Sequence, residues 1–142
     1  MKLSEVLDQK GWETVVGHEN LTVNEAVKLM CDKHVGALVV TGAGDRVDGI
    51  LTERDILRNY ARHGNKLGEL RIAALMTRKV ATAAPDTGVE EVLNTMTNRR
   101  FRHMPVVRGG RLAGIVSIGD MVKAMLEEKV REAESLREYI TS

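Results

Sequence analysis

One segment of this chain is written twice. Gly49-Ile50-Leu51-Thr52-Glu53-Arg54-Asp55-Ile56-Leu57 returns as Gly114-Ile115-Val116-Ser117-Ile118-Gly119-Asp120-Met121-Val122, at an offset of 65. Both copies read glycine, an apolar strand end, a hydroxyl residue, and aspartate three positions later. Upstream the correspondence continues at an offset of 66: Asn24-Glu25-Ala26-Val27-Lys28-Leu29-Met30 on Glu90-Glu91-Val92-Leu93-Asn94-Thr95-Met96, and Ala37-Leu38-Val39-Val40 on His103-Met104-Pro105-Val106. The length change falls in glycine-rich segments around Gly42-Ala43-Gly44-Asp45 and Arg108-Gly109-Gly110, where an indel costs least. Self-similarity at a fixed offset constrains the fold more than any composition does.

Periodicity gives each copy the order β-α-β-β-α. In the first, Thr14-Val15-Val16 is a strand, and Thr22-Val23-Asn24-Glu25 is a capping box opening a helix with Val23, Ala26, Val27 and Met30 on one face. Strands at Ala37–Thr41 and Val47–Leu51 follow, then a helix from about Glu53 to Arg62. In the second, Val80-Ala81-Thr82 is the strand, Thr87-Gly88-Val89-Glu90 the box, His103–Val107 and Arg111–Val116 the hairpin. The last helix starts near Ile118 and runs toward Tyr139. Ser4 is expected to cap a short first helix that Gly11 ends, and Trp12 to anchor the first lobe. The resulting division is an N-terminal helix over 1–11, repeat 1 over 12–65, a connector over 66–78, repeat 2 over 79–126 and a charged helical tail over 127–142. The tail's thin stripe of Leu126, Val130, Ala133 and Leu136 suits a partner helix. A lone copy leaves one sheet face bare. Two copies cover it by packing sheet to sheet about a pseudo-twofold axis, an α/β arrangement with helices outside.

Composition excludes more than it suggests. With 21 basic and 20 acidic residues the net charge is +1, and aromatics make up 3%. Neither favours nucleic acid, and nothing calls for an anionic membrane. The single cysteine, Cys31, rules out an internal disulfide and suits a reducing, cytoplasmic setting. It reads as a core thiol. Cys31 and His34 have metal-like spacing, but two ligands do not make a zinc site.

The chemistry lies in the repeated motif. Thr52 and Ser117 stand where helices begin, and free N–H groups and the helix dipole there favour an anion. Asp55 and Asp120 follow at one turn, and one carboxylate accepts from both hydroxyls of a ribose cis-diol. Thr-x-x-Asp is also simply a helix cap. The upstream boxes use Glu, the longer acid, while both downstream motifs use Asp, which reaches back less easily and is freer to face a ligand. That contrast, twice over, favours a ligand role. Ala37, Leu38 and Val39, with Met104 and Pro105, supply an apolar slot for a base, faced by Val15, Val16, Val80 and Ala81. Arg54, Arg78, Lys79, Arg102 and His103 supply positive charge for phosphate, with His103 open between phosphate contact and packing. Arg99 and Arg100 read as solvated charges. Arg54 in one copy and Gly119 in the other make the sites unequal.

Two β-α-β-β-α copies, each closing Gly-apolar-apolar-Thr/Ser-x-x-Asp, resemble the tandem cystathionine-β-synthase (CBS) domain pair, or Bateman module, over about residues 12–126. The flanking helix and charged tail resemble small stand-alone bacterial proteins of this kind. The resemblance implies ligands of the AMP, ADP, ATP, NAD(H) or S-adenosylmethionine class in two clefts between the copies. It also implies a homodimer, signal transduction to an effector protein, and no catalysis and no required cofactor. Two other readings stand beside it: a small nucleotide-hydrolysing enzyme, for which no nucleophile elbow, Walker lysine or metal triad is present, and a purely scaffolding dimerisation module.

Overall fold

The computed structural model describes residues 1–141; Ser142, the end of the expected tail, lies outside the described residues. Helix α1 (Leu3–Lys10) is followed by β1 (Val16–Gly17), α2 (Val23–Lys33), β2 (Ala37–Thr41), β3 (Val47–Thr52) and α3 (Glu53–His63). After short 3-10 turns at Gly64–Glu69 and Ile72–Ala74 come α4 (Val89–Arg99), β4 (His103–Arg108), β5 (Arg111–Ser117) and α5 (Ile118–Thr141).

Repeat 1 carries a sheet ordered β1-β2-β3, with β1 parallel and β3 antiparallel to β2; repeat 2 carries the antiparallel pair β4-β5. The registers repeat as the sequence does. Leu38 faces Leu51 and Met104 faces Val116, and both hairpins slip register at the same place, after Val40 and after Val106. The second hairpin turns on Gly109 and Gly110, both at positive φ (58° and 77°), which glycine adopts without steric cost.

The expected strand Val80-Ala81-Thr82 does not form. Only a single parallel bridge, Ala83 to Val106, survives. Pro105 explains the loss. In repeat 1 the Val39 N–H donates to the Val15 carbonyl (3.1 Å) and fixes β1. At the 66-residue offset Val39 becomes Pro105, which has no N–H to give.

Alternation along the strands sorts each sheet into two faces. Leu38, Val40 and Leu51 pack with Val23, Ala26 and Met30 of α2 and with Leu67, Ile72, Leu75 and Met76 of the connector. Met104, Val106 and Val116 pack with Val89, Val92 and Met96 of α4, with Met121 and Ala124 of α5, and with Leu3, Val6 and Leu7 of α1. Each fully buried leucine contributes roughly 1.5–3 kcal/mol. Ala37, Val39 and Ile50 are equally buried yet belong to neither cluster; they lie on the opposite face, where the two repeats meet sheet to sheet.

Helix α1 therefore serves the second repeat. Its leading amides need no serine cap: Leu3 N–H donates to Thr87 O (3.0 Å) and Ser4 N–H to Pro85 O (2.8 Å), while Ser4 itself lies inside the helix. Gly11 does end the helix, at φ 110°. Trp12 goes with α1. It packs against the second core, donates its indole N–H to Asp8 (2.9 Å) and lies under the Arg108 guanidinium, so it does not anchor the first lobe.

Two local expectations need further correction. The box at Thr22 and Glu25 closes as expected. At Thr87 it does not: α4 starts one residue later, with Gly88 as its N-cap, and the Thr87 hydroxyl instead accepts from the Ala84 N–H (3.0 Å). Cys31 is exposed on α2 and is no core thiol.

Candidate functional site

Both repeated motifs build the same local structure. The Thr52 side chain accepts from the Asp55 N–H (3.3 Å), while Asp55 Oδ2 accepts from the Thr52 N–H (2.9 Å) and hydroxyl (3.1 Å). Ser117 accepts from the Asp120 N–H (3.1 Å) and Asp120 Oδ2 accepts from the Ser117 N–H (2.8 Å). Aspartate thus does reach back to close a capping box at both motifs, although the shorter acid is expected to reach back less easily than glutamate. The first helical amide is also engaged: Glu53 N–H donates to Gly36 O (3.0 Å) and Ile118 N–H to Arg102 O (2.8 Å). Two of the first three amides in each helix are spent inside the fold, so the anion seat at either helix start is narrower than the sequence implied. Asp55 Oδ1 takes no part in the box and carries no hydrogen bond among the described residues.

The two motifs then part company. Around the first lies an open cleft of about 630 Å³. Repeat 1 contributes Ile50, Thr52, Arg54, Asp55 and Leu57, the connector contributes Thr77, and repeat 2 contributes Lys79, Val80, Ala81, Phe101, Arg102 and His103. Eight of the expected residues (Thr52, Arg54, Asp55, Lys79, Val80, Ala81, Arg102 and His103) are therefore brought together across the repeats. Glycine at position 49 allows the approach: a Cβ there would lie 2.8 Å from Met76 Sδ and 2.9 Å from the Thr77 carbonyl, where the connector pairs with Ile50.

At the second motif an ammonium group takes the carboxylate. Lys10 Nζ, at the end of α1, lies 2.5 Å from Asp120 Oδ2 and 2.9 Å from the Ile115 carbonyl. Burial alone would raise the Asp120 carboxyl, but the Lys10 ammonium and the Ser117 N–H outweigh it and hold the group below the usual carboxylate range. Gly119 is not demanded by packing, since a Cβ there would meet only Ser117 Oγ at 3.6 Å.

The other expected residues sit elsewhere. Leu38 and Met104 point into the two cores. Ala37, Val39 and Pro105 are buried at the sheet faces; Val15 is partly buried and Val16 is exposed. Arg78 pairs with Glu19 (3.8 Å) and donates to the Ala73 carbonyl, away from the cleft. His103 is half-buried, and desolvation pushes its imidazole below the ordinary value; Lys10 and Arg102 push the same way, against Glu53 and Asp120.

Sequence reasoning missed Leu57, Arg58, Arg99, Arg100 and Phe101, all of which line the cleft. A signal was there: Arg54 and Arg58 are one turn apart on α3, and Arg99 to His103 is a basic run interrupted only by Phe101.

Comparison with known proteins places the chain. The CBS domain family matches it twice, over residues 14–62 and 72–127. The chain belongs to the CBS-domain family and carries two copies of the domain. It is 40% identical over 123 residues to the mitochondrial CBS domain-containing protein CBSX3 of Arabidopsis thaliana, covering 84% of this chain and 60% of that protein. It thus spans less than two thirds of that curated relative's length. Among solved structures it resembles the CBS-domain protein ATU1752 of Agrobacterium tumefaciens (TM-score 0.84, 37% identity, 88% of this chain and 99% of that one). It also resembles the CBS pair of MJ0100 in complex with 5'-methylthioadenosine and S-adenosylmethionine (TM-score 0.79, 26%, 90% and 98%). A further likeness is to PAE2072 of Pyrobaculum aerophilum complexed with AMP (TM-score 0.75, 25%, 84% and 89%).

Proposed function

We propose that this protein is a non-catalytic regulatory module that binds an adenosine nucleotide of the AMP, NAD(H) or ATP class in the cleft between its two CBS repeats. The observation that carries this reading is the cleft itself. It joins a carboxylate with a free oxygen at Asp55 to an apolar wall at Ile50, Val80, Ala81 and Phe101, with cations around both. A ribose diol, a base and a phosphate each find matching chemistry there. Relatives of the same fold hold AMP or S-adenosylmethionine, which supports the ligand class.

Ligand touching both repeats would fix their relative angle and so bias one arrangement of the pair over another. The second motif forms a weaker site, because ligand there must displace Lys10 from Asp120. The reading includes a homodimer, supported by large apolar side chains left exposed on the two structurally equivalent helices: Leu57 and Tyr60 on α3, Val122 and Leu126 on α5.

A thermal-shift panel of AMP, ADP, ATP, NAD, NADH and S-adenosylmethionine tests the proposal. A ligand that binds the native state raises the melting temperature, the more so the further its concentration exceeds its Kd. A panel in which none of the six shifts the transition contradicts it.

A further inference from the structure

The open cleft holds more positive charge than one phosphate group can use. Six permanent cations line it: Arg54 and Arg58 on α3, Lys79 near the start of the second repeat, and Arg99, Arg100 and Arg102 at and beyond the end of α4. Only two carboxylates, Glu53 and Asp55, stand among the same lining residues, and Asp55 already accepts from Thr52. None of the six cations makes an ion pair among the described residues; Arg99 only lies over the Phe101 ring at 5.5 Å. The chain as a whole is almost neutral, at +1, so the excess is local. It is also assembled from three separate segments, which a solvated charge run along one helix face would not be. Gathering unpaired like charges around a partly apolar cavity opposes folding, and a polyanion relieves that repulsion.

Building on the adenosine-site reading, we propose that this cleft selects adenosine ligands carrying a di- or triphosphate chain. It binds them in preference to the monophosphate and to ligands with a neutral or cationic tail, such as methylthioadenosine and S-adenosylmethionine. Asp55 holds the nucleoside; the arginines count the phosphates. Guanidinium groups pair with phosphate oxygens through two parallel hydrogen bonds, so several arginines spread around one cleft distinguish chain length as a single helix N-terminus cannot.

The test is titration calorimetry of the full chain with adenosine, AMP, ADP, ATP, S-adenosylmethionine and inorganic tripolyphosphate at two salt concentrations. Each added phosphate is expected to tighten binding by about threefold to tenfold, the range of a partly exposed charge pair. The salt dependence should steepen from AMP to ATP, S-adenosylmethionine should bind most weakly, and added Mg²⁺, which neutralises the chain, should weaken ATP. The double variant Arg100→Gln/Arg102→Gln should lose most of the preference for ATP over AMP while binding adenosine unchanged. Arg58→Gln, on an exposed position of α3, makes the same test should the double variant fold poorly. Equal affinity and equal salt dependence for AMP and ATP would overturn the selection for chain length and leave the adenosine site intact. Tripolyphosphate binding without any nucleoside preference would overturn the adenosine reading on which the inference rests. Failure of all six to bind overturns both.

Discussion

Asp55 divides its work between two oxygens. Oδ2 closes the capping box on Thr52, Oδ1 carries no hydrogen bond among the described residues, and Asp55 lines the cleft. Asp55→Ala is therefore expected to weaken adenosine ligands by about 1.5–3 kcal/mol, the range of a hydrogen bond to a charged group, and to lower stability by up to about 1 kcal/mol through the lost box. Calorimetry and thermal unfolding separate the two effects. Asp120→Ala should leave affinity at the open cleft unchanged, since Lys10 already occupies that carboxylate; equal losses in both variants would contradict the assignment. His103 offers a pH signature. Burial keeps its folded pKa below the ordinary 6.5, so the unfolded chain takes up that proton first. Its contribution to stability is complete above about pH 6.5 and is lost as pH falls from there through the lowered folded value. Phosphate in the cleft would raise the imidazole again. Nucleotide binding below pH 6.5 should then take up a fraction of a proton that His103→Gln does not, read as a difference between buffers of unequal ionisation heat. Identical proton uptake in both proteins would assign His103 to packing alone.

At the scale of elements, α1 is the part with a consequence for binding. It adds Leu3, Val6 and Leu7 to the second core and delivers Lys10 to the second motif. Lys10→Ala should free Asp120 and raise affinity at the weaker site, so that a titration showing one strong and one weak event per chain moves toward two comparable ones. An unchanged weak event would mean that α1 does not guard that site. The exposed pair on α3 and α5 makes a second prediction: Leu57→Asp with Leu126→Asp should shift sedimentation from dimer to monomer without loss of helical signal, and a wild-type protein sedimenting as a monomer would remove the dimer. Most element types were legible in the sequence because local rules set them. Thr22 with Glu25 marked α2, the apolar run at Ala37 marked β2, and Gly109-Gly110 marked the second hairpin. What failed depended on distant partners. Ser4 read as a cap because nothing local says that the 85–87 loop satisfies the helix amides instead. Thr82 read as strand because the penalty comes from Pro105, a residue on another strand.

For the whole molecule, duplication makes two equivalent capping motifs and sequence divergence makes their surroundings unlike, an open cleft at one and Lys10 on the carboxylate of the other. The fold class was readable from the repeat, since a β-α-β-β-α copy with one bare sheet face requires its twin. Much of the open cleft was readable too, as the Thr52 and Asp55 motif and the 79–81 segment stand out locally. The arginines at 58, 99 and 100 were not, because a charge on a helix surface or at a helix end looks solvated until another element faces it across a gap. The pairing of Lys10 with the second motif was hidden for the same reason: Lys10 and Asp120 lie 110 positions apart. The claim on which all else depends is that a nucleoside sits between the repeats at Asp55. A crystal structure of the chain with ADP examines it most directly. The ribose hydroxyls are expected on the Asp55 carboxylate, the base against Ile50, Val80 and Ala81, and the phosphates among the arginines; ADP bound elsewhere, with this cleft holding only solvent, would contradict that placement.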